Sequence, residues 1–420
     1  MAYEEKEIEI GLNNIAIHRD NDKETNNNNN NRTAGNEEDI KSISRLSKKL
    51  QSFVLSQILL LQSRKKWGII FTIATLVGTV CSLSSDADNN AQIMTIIQSI
   101  SNYDHFGDNL VSLLGTILKV MLLPIITSFL IIVGMYVFND LIDADLDKIN
   151  GKKRPIPMGL VSKWQAWIFV VLTNGLGIIF SIITFNCNCI IETSMLAIIG
   201  ILYSAPKIAL KDRFIIKTLC ISLAMMLCLM IGSSTVVTAT STTTSVHNNY
   251  DIHHDLTSII MKNEKLNGSD HFDFGNPTHV NFFSLTIVSI YSALMLGIMV
   301  FITSPFNDLG DISGDKAAGR KTIPVVIGKE NTVKLAILLA VSLPIISVIA
   351  YCLFPTIIGI YSPILVGIAS ILITITMTKA LKSVNEPDIV IKFLKKKTLP
   401  LHITLQVSLM AGSILLLFSR

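Results

Sequence analysis

The sequence predicts an all-α, polytopic membrane protein with nine transmembrane helices. Three observations carry that prediction: composition, the lengths of the apolar runs, and the distribution of positive charge. Half of the 420 residues are hydrophobic and 16% are charged, with a mean hydropathy of +0.52. Soluble domains carry about a quarter charged residues. Apolar runs of about 20 residues are long enough to span a bilayer. Nine occur, at 66–83, 111–138, 164–184, 188–203, 215–236, 282–304, 332–354, 358–379 and 399–418. The fourth is short and carries Glu192.

Lys and Arg concentrate on the cytoplasmic side of such proteins. With nine spans, the N-terminus shares a side with the loops 139–163, 204–214, 305–331 and 380–398. Those loops hold 17 Lys and Arg, against Lys262 and Lys265 on the opposite side. The expected placement is therefore the cell membrane, with the N-terminus and these four loops cytoplasmic. The net charge of +4 then reflects the inner leaflet and implies no nucleic-acid partner.

The segments divide as follows. Residues 1–37 include six consecutive asparagines and almost no apolar side chains, so a disordered tail is expected. No apolar core of a cleavable signal peptide is visible in positions 1–30. In 38–65, Ile40, Ile43, Leu46, Leu50 and Phe53 alternate with Lys41, Arg45, Lys48 and Lys49. That spacing predicts a basic amphipathic helix on the inner leaflet, with partner binding as the other use of such a face. Residues 66–420 form the nine-helix domain. Its outer loop, 237–281, carries His247, His253, His254, His271 and His279 at irregular spacing, which reads as a solvated loop rather than a metal site. Asn267-Gly-Ser269 in that loop is a glycosylation acceptor pattern. The six cysteines are scattered and read as packing residues; Cys187 and Cys189, one residue apart, would make a strained disulfide.

The chemistry lies in NDLIDADLDK, residues 139–148, directly after the second span. At 100° per residue, Asp140, Asp143 and Asp147 fall at about 0°, −60° and −20° on one helix face, while Asp145 points elsewhere. Three carboxylates on one stripe repel unless a cation lies among them. Hard oxygens on an open face suit Mg²⁺, which takes a few carboxylates plus substrate phosphates. A solvated helix end would explain one such motif equally well. The motif repeats, however, as NDLGDISGDK at 307–316, after the sixth span. Asp308, Asp311 and Asp315 match the first stripe. Four helices separate the copies, so both emerge on one side as a parallel internal repeat.

Two facing acid stripes make a two-metal clamp for a diphosphate, with nearby cations neutralising the remaining charge. Arg154, Lys207, Lys211, Arg320 and Lys321 are the candidate cations, although the positive-inside bias also accounts for their presence. An isoprenoid tail would lie in a cavity among the helices, open sideways to lipid. Intramembrane acids with an internal repeat also suit a cation transporter. Against that reading, the acids lie at one face, the repeats are parallel, and basic loops adjoin them.

NDLIDADLDKINGKKRPIPMG resembles the first aspartate-rich motif of the UbiA superfamily of intramembrane prenyltransferases, N-D-x-x-D-x-x-x-D followed by R-P. NDLGDISGDKAAGRKTIPVVIG is similar to the second, D-x-x-x-D followed by G-x-x-T/S-x-P. YSAPKIALK is similar to the family's Y-S-x-P-x-x-x-x-K loop, with Tyr203, Lys207 and Lys211 in place. The resemblance covers residues 66–418. It implies Mg²⁺-dependent transfer of an allylic prenyl group from its diphosphate to a lipid-soluble acceptor. It also implies that the six aspartates hold metal, and that Asn139, Asn307, Tyr203 and the five cations contact substrate. The I-N-x-x-x-R-P-I-P version, Ile149 to Pro157, resembles archaeal geranylgeranylglyceryl-phosphate geranylgeranyltransferases and the chlorophyll synthases. A geranylgeranylglyceryl phosphate acceptor is the expectation, with an aromatic quinone precursor or a chlorophyll-type acceptor as the alternative. The start of the first span, QSRKKWGII, lacks the Arg-Pro often found there in the family.

Overall fold

The computed structural model describes residues 34–85, 114–115, 117–149, 152–236, 286–383 and 386–419. The Asn-rich tail up to residue 33, Asn150 and the outer loop with its histidines and Asn267 lie outside the described residues. Among those described, the chain is helical, and nine helices are long and apolar enough to cross a membrane. They are α1 (Ala34–Ser85), α2 (Leu123–Ile142), α3 (Lys163–Ile183), α4 (Cys187–Ser204), α5 (Ile216–Val236), α6 (Ile287–Asp308), α7 (Lys329–Leu353), α8 (Tyr361–Lys382) and α9 (Pro387–Ser419).

Local sequence starts these helices where donors must be satisfied. Ser162 and Gln165 form a reciprocal capping box at α3, Asn186 accepts from the Cys189 amide at α4, and Thr286 accepts from the Ser289 amide at α6. A π-helical turn, Leu118–Leu122, leads into α2. Pro124, which has no N–H to give to the helical ladder, follows just after that turn.

The last helix begins at Pro387, twelve residues before the expected start at 399, and two further differences bear on the site. The basic segment 38–65 is not a helix separate from the first span, because α1 runs unbroken through residue 65. No Gly or Pro lies between Ile40 and Trp67 to stop it. The chain divides into two compact units, residues 1–55 and 56–420, and α1 contributes to each. In the first, side chains 44–50 are exposed. In the second, Ser56 and Leu60 are buried, so residues 56–65 belong to the bundle rather than to a surface segment. The second difference is that α2 and α6 extend about a turn past their expected ends. The leading aspartate of each motif therefore lies in the long helix itself, but the three acids do not share one continuous helix as expected, because the helix breaks at Asp143 in the first motif and after Asp308 in the second.

In the second unit, α2 packs against α3 and α4, and α8 lies between α7 and α9. Gly78 and Gly232 let α1 and α5 approach closely: a Cβ at Gly78 would strike the Leu229 carbonyl, and one at Gly232 the Thr75 carbonyl. Hydrogen bonds close the ring, from Thr75 to Ser128 (α1–α2), Ser222 to the Gly297 carbonyl (α5–α6) and Gln406 to the Ile70 carbonyl (α9–α1). Outward faces expose Val171, Leu338 and Ile371, as lipid contact requires. Buried hydroxyls and amides such as Thr75, Ser222 and Gln406 find partners between the helices, as an apolar surrounding requires.

Candidate active site

Both motifs take the same backbone path. In the first, α2 ends at Ile142, Asp143 leaves helical geometry (φ −86°, ψ 2°), and a short helix, Ala144–Ile149, follows. In the second, α6 ends at Asp308, Asp311 occupies the break (φ −110°, ψ 10°), and a short helix, Ile312–Ala317, follows. The bends are pinned alike. The amide of Asp147 donates to the Asp143 carbonyl at 2.8 Å and that of Asp315 to the Asp311 carbonyl at 2.7 Å. Five residues beyond each last aspartate, the amides of Lys152 and Arg320 donate back to Asp147 and Asp315, at 2.9 and 2.8 Å. The repeat is thus structural, and it makes Lys152 and Arg320 equivalent positions.

Those two side chains cross between the motifs. Lys152 Nζ lies 3.1 Å from its own Asp147 and 3.8 Å from Asp311 of the other copy. Arg320 lies 3.9 Å from its own Asp315 and 3.1 Å from Asp143 of the other copy. Each cation therefore joins the last carboxylate of its motif to the middle carboxylate of its counterpart. The two acid stripes face each other across one mouth.

Further cations complete the cluster. Arg64 of α1 grips Asp140 with both Nε and Nη2. Arg154 Nη1 lies 2.7 Å from Asp140 and 2.5 Å from Asp147. Lys211 Nζ reaches Asp143 at 2.8 Å and donates to Asn139 Oδ1 at 2.8 Å. Lys217 Nζ lies 2.5 Å from Asp308. Each of the six aspartates thus has a Lys or Arg within 4 Å. Among the described residues, no group of three or more acidic, His or Cys side chains is gathered to hold a metal ion, because cations stand between the carboxylates.

The electrostatics differ between the copies. Burial acts to raise the Asp143 carboxyl, but Lys211 and Arg320 outweigh it, and the group sits below the usual carboxylate value. Burial dominates at Asp308 and Asp315, pushing both upward against the opposing pull of Lys217. Burial also lowers Lys211, with Asp143 acting the other way.

Behind the mouth lies a cleft walled mainly by apolar side chains. It begins at Asn139 and Tyr203, next to the acids, and extends to Phe71 and Ile132. Ile132 is seven residues back along α2 from Asn139, a depth of about 10 Å. Tyr136 forms part of the wall. Its ring stacks on Trp67 at 5.7 Å, meets Phe71 edge-on at 6.4 Å, and lies 5.7 Å from the Arg64 guanidinium.

The structure thus gathers Asp140, Asp143, Asp147, Asp308, Asp311, Asp315, Asn139, Arg154, Lys211 and Arg320 at the mouth, with Tyr203 in the cleft wall. It does not gather Lys207 or Lys321. Both side chains are exposed, and among the described residues neither makes an ion pair with the aspartates. The Asn307 side chain lies outside what is described. Asp145 is exposed and pairs with Lys163 instead.

Four participants escaped the sequence reading. Arg64 falls within the basic segment 38–65; the absence of any helix breaker before Trp67 is the signal that it belongs to α1. Lys217 is a cation inside an apolar span, which by itself marks function. Lys152 and Asp212, whose carboxylate lies 2.8 Å from Arg320 Nε, carry no local signal, because only the packing of the loops brings them to the mouth.

Comparison with known proteins identifies the family. The sequence model of the UbiA prenyltransferase family matches residues 110–393. The digeranylgeranylglyceryl phosphate synthase of Thermococcus sibiricus is 26% identical over 248 residues, 57% of this chain and 71% of that protein. Its counterpart in Sulfolobus acidocaldarius is 40% identical over 60 residues, 14% of this chain and 22% of that protein. A solved structure of digeranylgeranylglyceryl phosphate synthase shares the fold, with a TM-score of 0.51 and 20% identity over 87% of this chain and 99% of that one. The chain belongs to the UbiA prenyltransferase family and is a multi-pass membrane prenyltransferase.

Proposed function

We propose that the protein transfers a geranylgeranyl group from its diphosphate to geranylgeranylglyceryl phosphate in membrane lipid synthesis, with Mg²⁺ as cofactor and the active-site mouth on the cytoplasmic side. The observation that carries this reading is the junction of two crossed acid–base motifs with an apolar cleft. That combination matches a ligand with a charged head and an apolar tail. The acceptor assignment is supported by the digeranylgeranylglyceryl phosphate synthases to which the chain is similar. The side of the membrane is supported by the charge bias of the loops.

The donor set fits Mg²⁺: it consists of hard carboxylate oxygens, and the cations among them suit phosphate oxygens. Asp140, Asp143 and Asp147 would hold one ion and Asp308, Asp311 and Asp315 another. When bound, Mg²⁺ supplies positive charge that stabilises the departing diphosphate. Arg64, Lys152, Arg154, Lys211, Lys217 and Arg320, released from their carboxylates, turn to the phosphate oxygens. The allylic C–O bond breaks and diphosphate leaves with the electron pair. Phe71, Tyr136 and Tyr203 line the cleft in which the allylic cation forms, and the apolar wall excludes water that would capture it. The acceptor hydroxyl oxygen forms the new C–O bond, and its proton passes to the departing diphosphate.

Incubating the purified protein with labelled geranylgeranyl diphosphate, Mg²⁺ and a panel of acceptors tests this. The expected product is the prenylated glyceryl phosphate lipid. Reaction of hydroxylated aromatics alone would overturn the acceptor assignment.

A further inference from the structure

Arg320 differs from its repeat equivalent Lys152 in having a third acidic neighbour. Arg320 Nε lies 2.8 Å from Asp212 Oδ1, a close ion pair rather than an aligned hydrogen bond. Asp212 belongs to neither aspartate motif. It sits on the loop between α4 and α5, in a 3₁₀ turn, Leu210–Asp212, entered through Ala209 in the left-handed region (φ 40°, ψ 57°). The same turn is tied to both halves of the site. Lys211 reaches Asp143 and Asn139 in the first motif. The carbonyl of Asp212 accepts from the Lys321 amide, just past the second motif, at 3.0 Å.

We infer that Asp212 is a positioning residue, which holds Arg320 in place when the motif carboxylates turn to metal and the diphosphate arrives. This rests on the proposed diphosphate site. Of the three acids around Arg320, Asp143 and Asp315 are assigned to metal and would be withdrawn. Asp212 stays, because it is outside the donor set. It engages the Nε edge of the guanidinium, leaving the Nη edge, now facing Asp143 and Asp315, free to meet phosphate. An arginine fork held at one edge loses less freedom on binding than an unheld one. Lys152 has only motif carboxylates near it among the described residues, so it becomes a mobile point charge in the bound state. Asp212 therefore makes Arg320 the fixed cation of the pair and Lys152 the displaceable one.

Calorimetry of Mg²⁺ and inorganic diphosphate binding to the detergent-purified full chain tests this without catalysis. Asp212→Asn should weaken binding about tenfold, and Arg320→Met by more. Adding Asp212→Asn to Arg320→Met should change nothing further, because Asp212 acts through Arg320. Asp212→Glu should recover part of the loss. The main-chain bond from Lys321 survives all of these substitutions, so the turn stays anchored. In turnover, the KM for the prenyl diphosphate should rise while that for the acceptor stays unchanged. Wild-type affinity in Asp212→Asn, or an equal loss in the Arg320→Met background, overturns the positioning role while leaving the diphosphate site standing. A wild-type protein that binds no diphosphate removes the site itself, and the inference with it.

Discussion

Asp140, in the first motif, lies between Arg64 and Arg154, and Asp143 lies between Lys211 and Arg320. In the second, Asp308 has Lys217, while Asp311 and Asp315 have their cations only at 3.8 and 3.9 Å. The backbone paths are the same, down to the hydrogen bond five residues past the last aspartate, but the charge balance is not. Asp143 is held low by its cations, whereas Asp308 and Asp315 are raised by burial. A repeated backbone therefore sets where carboxylates point without setting how well they are compensated. Compensation comes from side chains that other helices bring in. The second motif, being under-compensated, has the more to gain from a divalent cation.

The sharpest way to break the equivalence is at the two backbone junctions. Asp143→Ala and Asp311→Ala should each lower turnover by at least about 100-fold, the scale of losing an electrostatic clamp on a charge-separating step. Single-turnover assays at saturating Mg²⁺ measure this. Near-normal turnover in either variant would show that the copies do not share a role.

The cations should separate next. Lys211→Met should weaken inorganic diphosphate as a product inhibitor by about tenfold, since it removes a charge-assisted contact worth roughly 1.5 kcal/mol. Lys207→Met, exposed on the same loop, should shift inhibition by about twofold or less. Equal effects from the two lysines would contradict the placement of this loop.

Asp145→Asn compares positions within one motif. Its carboxylate points outward to Lys163, and an exposed pair of this kind is worth about 1 kcal/mol or less. Prenyl transfer should stay within about twofold of wild type. A large loss would put Asp145 in the donor set.

The smallest effect concerns pH. Asp315 has a raised pKa, so its contribution to metal-free stability is fullest when it is protonated and declines as pH rises through the raised value. Asp315→Asn, which keeps the shape without the charge, should raise the metal-free unfolding midpoint at neutral pH by about 1–2 °C. The advantage should vanish on acidification. Adding Mg²⁺ should reverse the order at neutral pH. Thermal scans across pH, with and without Mg²⁺, would reveal a wild type that already matches the variant at neutral pH, which would contradict the under-compensation of the second motif.

Much of this molecule was legible in its residues. Nine apolar runs are visible because the bilayer demands about 20 residues per crossing, and the described helices match them with ends shifted by a few residues, apart from the first two spans and the ninth, which begins at Pro387. The acid stripes and their parallel repeat are visible because helical periodicity and an even helix count are local properties. Asp145 could be set apart from Asp140, Asp143 and Asp147 by angle alone. Tertiary structure decided which cations meet those acids. Lys207 and Lys211 stand on one loop, yet only Lys211 turns inward, at the end of a left-handed residue no pattern announced. Arg64, Lys152, Asp212 and Lys217 come from four different segments, and nothing in their spacing links them. The physical reason is range. Periodicity and hydropathy act within a helix, but charge pairing acts through space, and only the packing of α1, α2, α5 and α6 fixes which charges lie within 4 Å of one another.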